Sequence, residues 1–225
     1  MGRLMRRGLA ALTVALLPAG SASASEPFVD AAGAVPGLVV DMRYAGADNF
    51  VGRPIAGYEA PRCLLTPQAA RALALAQAEL ATEGLGLKVF DCYRPLRAVA
   101  DFAAWARDPD DARMKARYYP DLDKRDLFRL GYIAERSAHS RGSTVDLTLV
   151  RLADGRERDM GTPFDRFDPA SATDSPTVSG AQRANRHRLR AAMIRAGFGP
   201  YPQEWWHFTL KREPFATTAF DHPVR

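Results

Sequence analysis

The residues best suited to chemistry are His139 and Asp146, seven positions apart with Gly142 between them, and His207 far downstream with Glu204 three residues before it. Two neutral imidazoles and one carboxylate make a three-ligand set that suits Zn²⁺ and leaves a fourth tetrahedral position for water. Glu204 is then the spare carboxylate that a hydrolytic zinc site needs as general base. A lone histidine near a strand is more often a packed residue than a ligand; what lifts these two is the acid that accompanies each. His187, among Arg183, Arg186, Arg188 and Arg190, reads as part of a solvated helix face, and His222 lies in the tail. A serine nucleophile served by His139 and Asp146 is the competing chemistry, but the chain offers no nucleophile-elbow sequence for it.

Elements must bring these positions together. A central strand over Thr144–Leu152 would carry Asp146, and a last strand over Glu204–Lys211 would carry His207. Positions three apart point to opposite faces of a regular strand, which places Glu204 just before the strand that carries His207. Upstream, Leu38–Tyr44 has strand character and Ala45–Tyr58 reads as a loop. Thr66 as N-cap and Pro67 at the first helical position open a helix that runs through Ala69–Ala81 and stops at Gly84. Leu73, Gln77 and Leu80, with Leu65, form its packed face. A strand over Gly86–Asp91 delivers Cys92, Tyr93, Arg94 and Pro95, and a helix follows over Leu96–Arg107, with Trp105 in the core. Asp108–Asp126 is a charged excursion with one short helix, and Asp126–Ala134 reads as helical. Asp154-Gly155 predicts a hairpin whose return strand ends near Met160. Gly161–Val178 is loop, and Ala181–Ala196 is a basic helix closed by Gly197. Strands and helices mixed without βαβ alternation predict one α+β domain.

Composition narrows the class. With 225 residues, 47% hydrophobic and 25% charged, the chain can bury one core. Arg3, Arg6 and Arg7, then apolar Gly8–Leu17, then small residues to Ala24 give the three-part pattern of a secretory signal peptide over residues 1–24, cleaved near Ala24. The apolar run is short for a bilayer span, so no stable membrane association is expected after cleavage. Removing three arginines and no acids takes the formal charge from +5 to +2 for residues 25–225, which gives no case for nucleic-acid binding. Cys63 and Cys92 fit an oxidising, periplasmic or extracellular destination and are expected to form a structural bridge.

The pattern Ser-x-His-x-x-Gly-x-x-x-Asp over Ser137–Asp146, followed by Glu-x-x-His over Glu204–His207, resembles the zinc D,D-peptidase family, and within it the VanX-type D-alanyl-D-alanine dipeptidase branch. Tyr44–Phe50, Asp91–Pro95, Tyr118–Pro120, Asp146–Leu149, Met160-Gly161 and Phe164-Asp165 resemble that branch in the same order, from about Asp41 to the C-terminus. It departs at the front, because the best-known dipeptidases lack a signal peptide, and the cysteine pair looks like an addition suited to export. The resemblance implies a D,D-peptidase/hedgehog-like α+β domain over 25–225, with a mainly antiparallel sheet flanked by helices and one zinc ion on the sheet. It implies His139, Asp146 and His207 as ligands, Glu204 as base and Arg94 as the group that stabilises the oxyanion. It also implies Asp165 and Tyr44 as readers of the substrate ammonium, with Ser137 beside the ligands on substrate polar groups. The implied activity is hydrolysis of D-Ala-D-Ala, in salvage of wall-derived dipeptide. A D,D-carboxypeptidase or murein endopeptidase, and a silent zinc module that binds peptidoglycan, are the rivals.

Overall fold

A computed structural model describes Met1 and residues 27–225. The rest of the expected leader lies outside the described residues. The chain runs through β1 (Val29–Asp30), α1 (Ala31–Ala34), β2 (Val39–Val40), β3 (Leu64–Leu65), α2 (Pro67–Ala81), β4 (Leu85–Asp91), α3 (Leu96–Arg107), α4 (Lys115–Tyr118), β5 (Thr144–Arg151), α5 (Gly180–Arg195), β6 (Phe198–Tyr201) and β7 (Glu204–Leu210). A five-stranded sheet has the order β2-β4-β5-β7-β6, and β1 pairs with β3 in a small second sheet. β2 runs parallel to β4, while every other neighbour in the large sheet is antiparallel. This is the α+β domain that the sequence pattern predicts, with the mainly antiparallel sheet that the resemblance implies.

β5 lies at the centre. Val145, Leu147 and Leu149 join the core, and Thr144, Asp146 and Thr148 alternate with them on the other face. The register sets Asp91 of β4 opposite Asp146, and Asp146 opposite His207 of β7, so one row across three strands carries two acids and an imidazole. α2 packs on β4 and against α5, and α5 packs on β5, β6 and β7. Thr66 caps α2 and Pro67 opens it, as read from the sequence, and Leu73, Gln77, Leu80 and Leu65 are buried. The Gln77 side chain accepts from Leu87 N at 2.8 Å, fastening helix to sheet. Cys63 and Cys92 are bonded, tying the end of β4 to the strand-and-loop layer before α2.

Five expectations need correction. The strand expected over Leu38–Tyr44 shrinks to Val39–Val40, because the chain turns at Arg43–Ala45. Asn49 holds that turn: its Nδ2 donates to the carbonyls of Arg43, Gly46 and Arg53, in place of a strand partner. Asp126–Ala134 is not a helix beyond the 3-10 turn at Lys124–Asp126; Tyr132 N and Ile133 N fold back on Leu127 O around Gly131, whose φ is +81°. The return strand toward Met160 is a single bridge from Val150 to Glu157. Beyond it the Asp159 carboxylate accepts from Gly161 N and Gln182 Nε2 and bends the chain away. Glu204 is the first residue of β7 rather than the residue before it, at a register shift between Pro200 and Tyr201. Arg186, assigned to a solvated face, is buried. β6 escaped the sequence reading because Gly199 and Pro200 mask it; as an edge strand it tolerates the proline.

Candidate metal centre and active site

His139 sits in a 3-10 turn, Ala138–Arg141, whose N-cap Ser137 accepts from His139 N at 3.3 Å. Gly142 closes the turn at φ +73°, where a Cβ would come within 2.1 Å of the Phe28 ring, so both conformation and space require glycine. The His139 carbonyl accepts from Arg94 N at 3.3 Å, which ties the turn to the end of β4. Its Nδ1 lies 2.7 Å from Cys92 O. A carbonyl can only accept, so Nδ1 carries the proton and Nε2 presents a lone pair.

That lone pair faces Asp146 Oδ2 at 3.3 Å and His207 Nδ1 at 3.4 Å, and His207 Nδ1 lies 3.1 Å from Asp146 Oδ1. The ligating atoms of His139, Asp146 and His207 all lie within 4.8 Å of one another. Asp146 Oδ1 is buried and has no partner with hydrogen-bond geometry, the His207 contact being close but misdirected. Two electron-pair donors and a bare buried carboxylate oxygen converging on one point fit a cation, and the N,N,O donor set fits zinc. Burial works to raise the Asp146 carboxyl, but the two imidazoles outweigh it and hold it below its usual range. Burial works to lower His207, and Asp146 outweighs that in turn and raises it.

Glu204 stands beside this group, its Oε2 3.6 Å from His207 Nδ1. Burial pushes its carboxyl up to about 7, with Asp146 adding to the rise and His207 opposing it. The regular alternation of β7 breaks at Trp205 and Trp206, both buried, which leaves Glu204 and His207 half-buried toward the same cleft. Arg94 fixes its guanidinium through Nε and Nη2 on Asp91 Oδ2, at 2.9 and 2.8 Å, and the Tyr58 hydroxyl donates to Asp91 Oδ1 at 2.6 Å. Burial pushes the Asp91 carboxyl up, and the charge of Arg94 and the Tyr58 hydroxyl oppose that rise. Arg94 lies over the rings of Tyr44 and Phe102 and brings Nη2 to 3.7 Å from Asp146 Oδ2. Burial would lower the Arg94 value; the surrounding acids and tyrosines raise it instead, so it stays charged.

Asp165 faces the same space from the loop after β5. Its carboxylate accepts from the Tyr44 hydroxyl at 2.8 Å, and no arginine or lysine among the described residues pairs with it. It is 6% exposed, and burial, followed by the charge of Asp146, pushes its carboxyl well above the usual range. It is also the only non-glycine with positive φ among the described residues, at +61°. One cavity of about 610 Å³ is lined by Tyr44, Arg94, Ser137, His139, Asp146, Asp165, Glu204 and His207, every site position singled out from sequence. His187 and His222 stay outside it, one on Asp174 and the other stacked on Phe220. The sequence reading missed the roles of Tyr58 and Asp91. Asp91 was visible as an acid three residues before Arg94; nothing local to Tyr58 marks it.

The family described as D-ala-D-ala dipeptidase (Peptidase M15) matches residues 24–225. The chain is 46% identical to the D-alanyl-D-alanine dipeptidase of Streptomyces coelicolor over 190 residues, covering 84% of this chain and 94% of that protein. It is 43% identical to the D-alanyl-D-alanine dipeptidase of Enterococcus faecium over 191 residues, covering 85% and 95% of the two chains. It is 37% identical to the protein of that name from Escherichia coli over 182 residues, covering 81% and 83%. With a match over residues 24–225, and a sheet that gathers two histidines and an aspartate as a metal would need them, this chain belongs to the D-ala-D-ala dipeptidase family of metallopeptidases, Peptidase M15.

Proposed function

We propose that the chain is an exported, zinc-dependent dipeptidase that hydrolyses D-alanyl-D-alanine to two molecules of D-alanine. The observation that carries the reading is the buried Asp165 carboxylate, unpaired by any cation among the described residues and opening into the same cavity as His139, Asp146, His207 and Glu204. A buried anion without a counter-ion is costly, and the free ammonium of a dipeptide supplies the missing charge. The D,D configuration and the alanines come from the relatives' names.

His139, Asp146 and His207 would hold Zn²⁺, which when bound supplies Lewis acidity for the scissile carbonyl and for water. The protein's own groups do the rest. The Glu204 carboxylate takes a proton from the attacking water and returns it to the leaving amine nitrogen. Arg94, fixed on Asp91, presents a permanent positive charge to the oxyanion as it develops. Tyr44 donates to one oxygen of Asp165 and orients the carboxylate toward the substrate ammonium. Ser137 lines the cavity beside the His139 turn and would meet substrate polar groups.

Export rests on the leader pattern of residues 1–24 and on the Cys63–Cys92 bond, which persists in oxidising compartments. An enzyme outside the cytoplasm acts on wall-derived dipeptide, which favours salvage or cell-wall metabolism. Secreted protein whose mass begins at Ser25 is the expected result of expression with the native leader; an uncleaved cytoplasmic product overturns the export reading.

The deciding experiment is amine release by purified 25–225 with zinc, offered D-Ala-D-Ala, L-Ala-L-Ala and a pentapeptide ending in D-Ala-D-Ala, beside a Glu204→Ala control. Cleavage of the D,D-dipeptide alone, lost in the control, is expected. Cleavage of the pentapeptide instead would make the chain a D,D-carboxypeptidase, and peptidoglycan binding with no hydrolysis of any substrate would make it a binding module.

A further inference from the structure

Helix α5 carries a run of basic residues, and most of them behave as a surface run should. Arg188 pairs with Glu83 and Arg190 with Asp174, each at the periphery. Arg186 does not. It is 0% exposed, and among the described residues no carboxylate lies within ion-pair distance of it. Its Nε donates to Met160 O at 2.6 Å, Nη1 to Ala170 O at 2.9 Å and to Ala172 O at 2.6 Å, and Nη2 reaches Thr162 Oγ1 at 3.5 Å. Burial pushes its value down to about 10, which leaves it charged at neutral pH.

All of these acceptors belong to one segment, Met160–Ala172, and they come from both of its ends. The middle of that segment is Asp165, held at φ +61°. A non-glycine residue keeps such a backbone only where its surroundings impose it. The segment has no regular secondary structure apart from a 3-10 turn at Pro169–Ser171, so side chains must supply the constraint. Trp205 Nε1 donates to Thr162 Oγ1 at 2.9 Å, and Ser171 Oγ donates to Arg166 O at 2.7 Å. Thr162 Oγ1 also meets Ser171 Oγ at 3.1 Å across the segment, but the guanidinium fork takes backbone carbonyls from both ends, and a planar donor with five N–H groups suits that task better than any other side chain.

We infer that Arg186 is a positioning residue for substrate recognition: it closes the Met160–Ala172 segment so that Asp165 meets the ammonium end of the dipeptide. The inference rests on the dipeptidase reading above, in which Asp165 reads that ammonium. Arg186 touches neither substrate nor ligands, and His139, Asp146 and His207 stand on other elements. Its removal should therefore act on amino-end recognition and leave the metal in place.

The test is a double-mutant cycle on the zinc-loaded 25–225 protein with Arg186→Met and Asp165→Asn, measuring kcat and KM for D-Ala-D-Ala, zinc content, and inhibition by propionyl-D-alanine, which lacks the ammonium. Arg186→Met should lose about tenfold or more in kcat/KM, and Asp165→Asn should add less than about threefold in that background, because the two changes remove one interaction. Zinc content and propionyl-D-alanine affinity should stay at the wild-type level. Losses that multiply, or equal losses for the ligands with and without the ammonium, would show Arg186 to be structural only and overturn the inference. If Arg186→Met does not fold, Arg186→Lys decides by the same cycle, since a single ammonium keeps the charge but cannot span the two ends of the segment. A wild-type protein that cleaves no free dipeptide would sink the dipeptidase reading before the variants are compared; an active wild type with multiplying losses sinks the inference alone.

Discussion

Half-buried Glu204 and buried Asp146 both lie within a few ångströms of His207, yet their surroundings drive them apart: the imidazoles hold Asp146 low, and loss of solvent takes Glu204 up to about 7. Such a divergence is what the proposed roles of permanent ligand and proton carrier require. Glu204→Gln is accordingly expected to lower kcat by about 10²–10⁴ with zinc stoichiometry unchanged; loss of zinc in that variant would make Glu204 a ligand instead. Arg94→Lys keeps the charge but loses the two-nitrogen grip on Asp91 Oδ2. It should lower kcat by roughly 10²-fold while KM moves little, and a pure KM effect in steady-state kinetics would reassign Arg94 to ground-state binding. Glu204, Asp146 and His207 were legible because histidine is scarce here and each has an acid close by in sequence, whereas Arg94 was singled out by the family resemblance. Tyr58, which meets Asp91 from 33 residues away, was not, since a lone tyrosine in a loop carries no periodicity and no motif.

At the scale of elements, local chemistry decided what could be read. α2 and α3 were placed closely because Thr66-Pro67 is an explicit start signal and Leu96–Arg107 carries a helical apolar pattern. Asp126–Ala134 was misread because its apolar spacing mimics a helix that Gly131 and the backward bonds to Leu127 O prevent. The last strand does start at Glu204 as read, but the expectation that Glu204 precedes it failed because regular alternation was assumed, and alternation breaks at the buried pair Trp205 and Trp206. The burial of Arg186 failed because only tertiary structure shows where a basic helix turns inward. The His139 turn makes its own prediction. Gly142→Ala forces a Cβ into Phe28 at positive φ, and should cost about 1–3 kcal/mol of stability and weaken zinc retention against a chelator; unchanged retention would show that the turn tolerates the shift. The cysteine pair spans 29 residues and ends on Cys92, whose carbonyl accepts from His139 Nδ1. Replacing Cys63 and Cys92 together by serine should lower unfolding free energy by about 2–4 kcal/mol in a urea titration.

For the whole molecule, the three candidate ligands come from a 3-10 turn, a central strand and the last strand, so a bound ion links parts of the chain that are far apart in sequence. Metal that binds only the folded chain stabilises it in proportion to its saturation. Chelation should therefore lower the melting temperature of 25–225, and restoring zinc should raise it again; a melting temperature indifferent to the ion would argue against His139, Asp146 and His207 as a shared site. The row of Asp91, Asp146 and His207 across β4, β5 and β7 carries this further. A slip of one residue in β5 turns every side chain on it to the opposite face, burying Asp146 among leucines and presenting Val145 or Leu147 to the imidazoles. Metal uptake during refolding would thus be a proofreading signal: molecules with mispaired strands would stay metal-free, and the fraction that captures the ion would count those whose sheet has assembled in the one alignment that works.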